Sequence, residues 1–189
     1  MINNECMALV ITGNPGVGKH TIAEEISKEN SYKLLDINKI AIKAGIIENN
    51  QDTLDVDVDK LKSHLVSMMH EKIILVGHLA PYVVDSSKIN SVIVLRKNPY
   101  ELLDVYKKRG YSESKIKDNL GSEILGIITN DAINTFGEEK TFQIDASNST
   151  PKTLVKKINA IIDRTDRGDI IDWLPLIQEK NDFKTFFEY

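Results

Sequence analysis

The chain has a single cysteine, Cys6, in 189 residues, which rules out an intramolecular disulfide and fits a reducing compartment. Cys6 opens an apolar, strand-like run, where the role expected of it is that of a small buried hydrophobe. Arginine is scarce as well, confined to Arg96, Arg109, Arg164 and Arg167. With a formal charge of −4 the chain lacks the cationic surface that a general nucleic-acid coat protein needs, and no direct sequence-specific nucleic-acid binding is expected. No apolar stretch is long enough to cross a bilayer, and no basic segment followed by an apolar region marks a secretory signal, so the expected location is the cytoplasm, with no membrane partner. Repeats and low-complexity segments are absent. The balance of 41% hydrophobic and 28% charged residues is that of a folded globular domain, and the length accommodates one.

What the chain does contain is alternation. Apolar runs of strand length occur at Cys6 to Thr12, Tyr32 to Ile37, Lys72 to Gly77, Ser91 to Leu95 and Thr141 to Asp145. Between them lie segments of helical spacing: "HTIAEEISKEN", "DKLKSHLVSMMHEK", "PYELLDVYKKRG" and "ESKIKDNLGSEILGIITNDAINTF". Such alternation predicts an α/β fold of three layers, a central, mostly parallel five-stranded sheet between helices. Asp57, Ser112 and Thr150-Pro151 read as helix starts. The acidic stretch "ENNQDTLDVDVDK" reads as a solvated loop running into a helix, because its aspartates lack the glycine and terminal glutamate of a calcium loop. His64 and His70 fall in an amphipathic helical segment and read as structural. The last segment, 166–189, holds Trp173, Phe183, Phe186, Phe187 and Tyr189, aromatics expected to dock back on the preceding domain of residues 1–165 rather than to form a partner-binding arm.

The first strand is followed at once by "GNPGVGKHT", Gly13 to Thr21. The spacing G-x-x-x-x-G-K is that of a phosphate-binding loop, and its place between a strand and a helix is the context the chemistry requires. Gly13, Gly16 and Gly18 let the backbone turn tightly and aim N–H groups at phosphate oxygens, while Val17, His20 and Thr21 continue the loop into the positive end of the helix. Lys19 would reach the β and γ phosphates. His20 stands where a serine or threonine hydroxyl ordinarily holds Mg²⁺.

The loop resembles that of adenylate kinases and related nucleoside monophosphate kinases, with the pattern G-x-P-G-x-G-K-x-T matched by Gly13, Pro15, Gly16, Gly18, Lys19 and Thr21. "LLDINKIAIKAG", "VGHLAPY", "VLRKNPYELLDVYKKRGYSESKIKDNLGSEILGIITNDA" and "QIDASNSTPKTL" then follow in the order of the archaeal-type adenylate kinases, over about residues 6 to 173. That family is similar to the eukaryotic nuclear adenylate kinase involved in small-subunit ribosome maturation. The resemblance implies a P-loop fold, ATP and Mg²⁺ as cofactors, and a broad-specificity nucleoside monophosphate kinase with additional ATPase activity. It also implies transient binding to the small-subunit ribosomal protein uS11 and a role in ribosome biogenesis and rRNA processing. Mg²⁺ would be held by nucleotide oxygens and water, so no protein metal ligand is assigned and His20 marks a subclass.

The same resemblance places a short lid at about 108–118 and an acceptor segment at about 36–55, and it makes "QIDASNSTPK" a loop contacting adenine. Arg109 is then the lid cation that clamps phosphate or stacks on adenine. Asp36, Lys39 and Lys43 are the candidates for the acceptor monophosphate, with Asp36 expected to cap a helix rather than act as a base. Arg96 has two readings, a cleft cation or a structural salt bridge. His78 has two also, orienting a phosphate or water, or a buried hydrogen-bonded histidine. The family's carboxylate two positions before that histidine is replaced by Val76, which leaves open a second class of function: an ATP-driven assembly factor with weak or vestigial kinase activity. A small-metabolite kinase on the same fold is a third reading, weaker because it leaves the "RGYSESKI" segment unaccounted for.

Overall fold

The computed structural model describes residues 8–50, 53–69 and 72–187, so Cys6, His70 and Tyr189 lie outside the described residues. Strands β1 (Ala8–Thr12), β2 (Lys33–Asp36), β5 (Ile73–Val76), β6 (Ile89–Arg96) and β7 (Thr141–Asp145) form one parallel sheet in the order β2-β5-β1-β6-β7. Every residue of β1 and β5 is buried. Because successive strand side chains point to opposite faces, an all-apolar strand requires cover on both sides.

The residues sort accordingly into two cores. Leu9, Ile11, Ile74, Val76, Ile93 and Leu95 pack with α1 (Lys19–Asn30), α5 (Pro99–Lys108), α6 (Glu113–Ile124) and α8 (Pro151–Ile162). Ala8, Val10, Ile73, Leu75, Val92 and Val94 pack with α2 (Ile37–Lys43), α3 (Val58–Val66), α4 (Ala80–Val83) and α7 (Ile127–Phe136). This is the expected three-layer αβα arrangement. With β5 and β6 flanking β1 on opposite sides, the carboxyl ends of these strands open a crevice where the strand order diverges, the usual ligand position in such sheets.

Two expectations need correction. The acidic stretch after α2 is a hairpin, not a loop: β3 (Ile47–Asn50) pairs antiparallel with β4 (Thr53–Val56), and the helix begins only after Asp57. Its four-residue strands are too short, and too rich in Asn and Asp, to show an apolar alternation. The long helical segment from Glu113 to Phe136 is two helices, α6 and α7, divided at Gly126, whose φ of 65° a helix cannot hold. The helix starts stand as read: Asp57, Ser112 and Thr150 each accept a bond from the backbone N–H three residues on, at 3.0, 3.3 and 3.2 Å. No helix among the described residues is long and apolar enough to cross a membrane.

After α8 the chain returns across the first core through α9 (Leu174–Glu179) and α10 (Phe183–Phe187). Phe186 is fully buried, edge-on to Tyr100 at 5.3 Å between ring centroids. The Tyr100 hydroxyl donates to Asp182 at 2.7 Å, and Lys180 lies 4.0 Å above the same ring. Burial next to Asp182 pushes the Tyr100 hydroxyl up to about 12, so it remains a donor at any physiological pH. Phe183, by contrast, is 42% exposed. Truncating Phe186 to alanine is expected to lower stability by ~3–5 kcal/mol in urea unfolding, against about 0.5 kcal/mol or less for Phe183→Ala. Equal effects would mean that the tail does not carry its packing through Phe186.

Candidate functional site

The loop between β1 and α1 has the geometry its glycines predict. Gly13, Gly16 and Gly18 have φ of 135, 88 and 97°. A Cβ on Gly13 would sit 2.3 Å from the Leu95 carbonyl oxygen, and one on Gly16 would press on Leu102, Val105 and Tyr106 of α5. Glycine is thus required twice over at these two positions, by conformation and by close approach. The Tyr106 hydroxyl donates to the Pro15 carbonyl at 2.7 Å, fixing the loop to α5. Val17 is buried in the first core.

Lys19 opens α1 and is 5% exposed, its Nζ donating to the Asn14 carbonyl at 3.2 Å. Burial, helped by the Arg109 guanidinium and opposed by Asp36, brings the ammonium down to about 8. A cation kept largely out of water at a helix N-terminus, after a glycine-rich turn, is an arrangement suited to an anion. Thr21 follows on the exposed side of the first turn.

Asp36 ends β2 directly opposite Val76 of β5 in the strand register. It accepts from the Lys39 N–H at 3.1 Å, capping α2, and lies 3.3 Å from His20 Nε2 and 3.6 Å from Lys39 Nζ. Burial lowers the His20 pKa, with Asp36 opposing, and Lys19 and Lys39 adding to the depression. His78 lies just beyond β5, half-buried, and is brought to about 4 by burial and then by the charges of Lys19 and His20. His20 and Asp36 are in direct contact, the charges of Lys19 and His20 act on His78, and that of Arg109 acts on Lys19. Lys43 lies further along α2, exposed beside Ile40, Ala44, His64 and Met68. Val76 is fully buried and belongs to the core.

Arg96 resolves to a structural ion pair: Nε donates to Glu123 Oε1 at 2.8 Å, with both side chains buried. Its NH1 reaches Gln143 Oε1 at 2.6 Å and Thr129 Oγ1 at 3.3 Å. Glu123 also accepts from Asn14 Nδ2 at 2.8 Å, the Lys97 N–H at 3.0 Å and Trp173 Nε1 at 3.1 Å. The sequence does not single out Asn14 or Glu123, and it marks Trp173 only as one of the tail aromatics. A signal existed for Glu123: it falls three residues after Leu120 and one before Ile124, on the buried face of α6.

Arg109 caps the C-terminus of α5 and is exposed, one residue before Gly110 with φ of 67°. Ser112 then starts α6, so the connection between the two helices is short. The Tyr111 ring stacks on Tyr106 at 5.4 Å, and Lys115 lies 4.5 Å over it.

Residues 9–126 match a family model described as an AAA domain. Over 176 residues, 92% of this chain, it is 31% identical to a protein of Thermococcus kodakarensis and 32% identical to one of Pyrococcus furiosus, covering 96% and 94% of those proteins. Both carry the name "Putative adenylate kinase". The chain belongs to this archaeal adenylate kinase family. Among solved structures, a gluconokinase of Sinorhizobium meliloti shares the fold with a TM-score of 0.57 at 15% identity, over 86% of this chain and 94% of that one. A shikimate kinase of Bacteroides thetaiotaomicron does so at 0.51 and 13%, over 83% and 98%. The adenylate kinase family member is therefore a phosphotransferase on a P-loop kinase scaffold.

The His78 geometry sets a pH dependence. Its folded pKa lies below the ordinary 6.5, so the unfolded chain binds the proton more tightly between pH 6.5 and 4. The stabilising contribution is present above pH 6.5 and is lost as the pH falls toward 4. Replacement by glutamine in H78Q is expected to flatten the loss of stability across that window by up to ~3 kcal/mol, read by urea unfolding at a series of pH values. Parallel profiles for the two proteins would place His78 in solvent.

Proposed function

We propose that this family member is an ATP-dependent nucleoside monophosphate kinase, most simply ATP + AMP giving two ADP. The observation that carries the reading is the buried Lys19, held in a glycine loop at the start of α1, with the charges of Asp36 and Arg109 acting on it and its own acting on His78. Phosphoryl transfer asks a protein for in-line placement, neutralisation of charge and exclusion of water. The loop amides from Gly16 to Thr21 would cradle the ATP phosphates, and Lys19 would neutralise charge on the transferred group. The acceptor is already an anion: a phosphate oxygen of the monophosphate attacks, the bond to the ADP leaving oxygen breaks, and no protein base is needed. That fits Asp36, whose carboxylate is engaged as a helix cap.

The acceptor segment at about 36–55, with Lys39 and Lys43 as cations, supplies the second nucleotide site. The turn at about 108–118 acts as the lid, bringing Arg109 over the phosphates. Neutral His78 orients a phosphate oxygen or water.

The donors at the loop suit Mg²⁺ held mainly by nucleotide. Thr21 and Asp36 supply oxygen, whereas His20 and Val76 do not, and among the described residues no group of three or more His, Cys, Asp or Glu could hold a metal by itself. Thr21 and Asp36 would hold the ion through water. When bound, Mg²⁺ neutralises charge shared by the β and γ phosphates. With Val76 in the core, Asp36 on the adjoining strand carries the negative charge at this point of the sheet.

ATP hydrolysis follows when water takes the acceptor's place. A role in small-subunit maturation with uS11 rests on the resemblance alone and is the second reading. Purified protein with Mg²⁺-ATP should produce ADP faster when AMP or another monophosphate is added, and Lys19→Ala should lower that rate at least ~100-fold. Slow, Lys19-dependent hydrolysis that no monophosphate stimulates would replace the kinase with the assembly ATPase.

A further inference from the structure

The mechanism above leaves unused a buried carboxylate that touches the phosphate loop on one side and the C-terminal segment on the other. Glu123 is fully buried, and its two oxygens receive four donors. Oε2 takes the Asn14 amide of the loop, at 2.8 Å. Oε1 takes Arg96 Nε, the Lys97 N–H and the Trp173 indole N–H, at 2.8, 3.0 and 3.1 Å. A carboxylate oxygen offers about two acceptor sites, so Oε1 with three donors is fully committed, and reorienting the group for one donor alters the others.

Two of the donors are held rigidly. Arg96 is fixed by Gln143 and Thr129 as well as by Glu123, with Gly126 leaving room for its guanidinium, and Lys97 donates from the backbone at the end of β6. The other two belong to segments that respond to occupancy or docking. Asn14 sits in the loop, and its carbonyl accepts the Lys19 ammonium that an arriving phosphate would draw away. Trp173 stands immediately before α9, in the segment whose Phe186 and Asp182 dock on Tyr100.

We propose that Glu123 is a positioning residue for the phosphate loop, and that through it the Trp173 end of the C-terminal segment is coupled to nucleotide occupancy. The inference rests on the loop being the ATP site. Occupying the loop shifts Asn14, the carboxylate follows, and the indole tightens its bond. By linkage, removing the indole donor must in turn change ATP affinity.

Trp173 is the sole tryptophan, so all tryptophan emission reports this position. Calorimetry gives the ATP dissociation constant, and the same titration is followed by emission. The expected result is a saturable emission change with the calorimetric midpoint. Trp173→Phe, which keeps a ring and deletes only the indole donor and its extra bulk, should weaken ATP binding about fivefold or more with kcat retained. In an Asn14→Ala background, with the link to the loop cut, the Trp173→Phe effect should vanish. ATP binding without any change of emission overturns the coupling, as does a Trp173→Phe effect equal in both backgrounds. Failure of the wild-type protein to bind ATP in the calorimeter overturns the nucleotide-site reading, and this inference with it. The wild-type titration depends on no variant folding.

Discussion

A lysine that begins a helix and is nevertheless 5% exposed faces an unfavourable combination: it is removed from water, and it sits at the positive end of the helix dipole. Its pKa of about 8 expresses that cost. The surrounding structure keeps Lys19 in place through the Asn14 carbonyl, the nearby charge of Asp36, and a loop whose tight path its glycines permit. Such a cation gains most from an incoming polyanion, because the phosphate supplies the negative charge and the hydrogen-bond acceptors that burial has withheld. The phosphate binding proposed for the loop and the cost of burying Lys19 thus have one origin.

Holding that arrangement requires support behind the loop, and the chain supplies it with a second buried charge. Breaking an ion pair such as Glu123–Arg96 by removing one partner would leave the other stranded in the core. Replacing the pair with apolar residues would satisfy the core but abandon Asn14 and Trp173, which both depend on the same carboxylate. The pair therefore joins the loop, the end of β6, helix α6 and the C-terminal segment, whereas the two apolar cores join the helices to the sheet. At the opposite edge, Asp36 and Val76 lie side by side on β2 and β5, the valine committed to packing and the carboxylate to capping α2 beside His20.

The sheet was readable because its strands are short continuous apolar runs, and the phosphate loop because its glycine and lysine spacing has few other uses. Asp36 as a cap and Ser112 as a helix start were also legible, each from one side chain and its position. The hairpin of β3 and β4 was hidden by strands of four residues rich in Asn and Asp, where local pairing overrides a weak pattern. The division between α6 and α7 depends on Gly126, and a glycine in a helical pattern is ambiguous until the Arg96 guanidinium beside it is seen. Least legible was the partner of Arg96. Asn14 and Glu123 lie 109 positions apart, and nothing in local periodicity connects a loop amide with a carboxylate on the inner face of a distant helix. Spacing alone left both readings of Arg96 standing, and packing decided between them.

A monophosphate kinase must hold a phosphate donor and a phosphate acceptor together. A bisubstrate analogue, two adenosines joined through five phosphates, tests it directly by calorimetry with Mg²⁺ present. One analogue should bind per chain, at least ~100-fold more tightly than ATP, because a single molecule spans both sites. An analogue that binds no more tightly than ATP would contradict the second nucleotide site and leave a chain that binds and hydrolyses ATP alone.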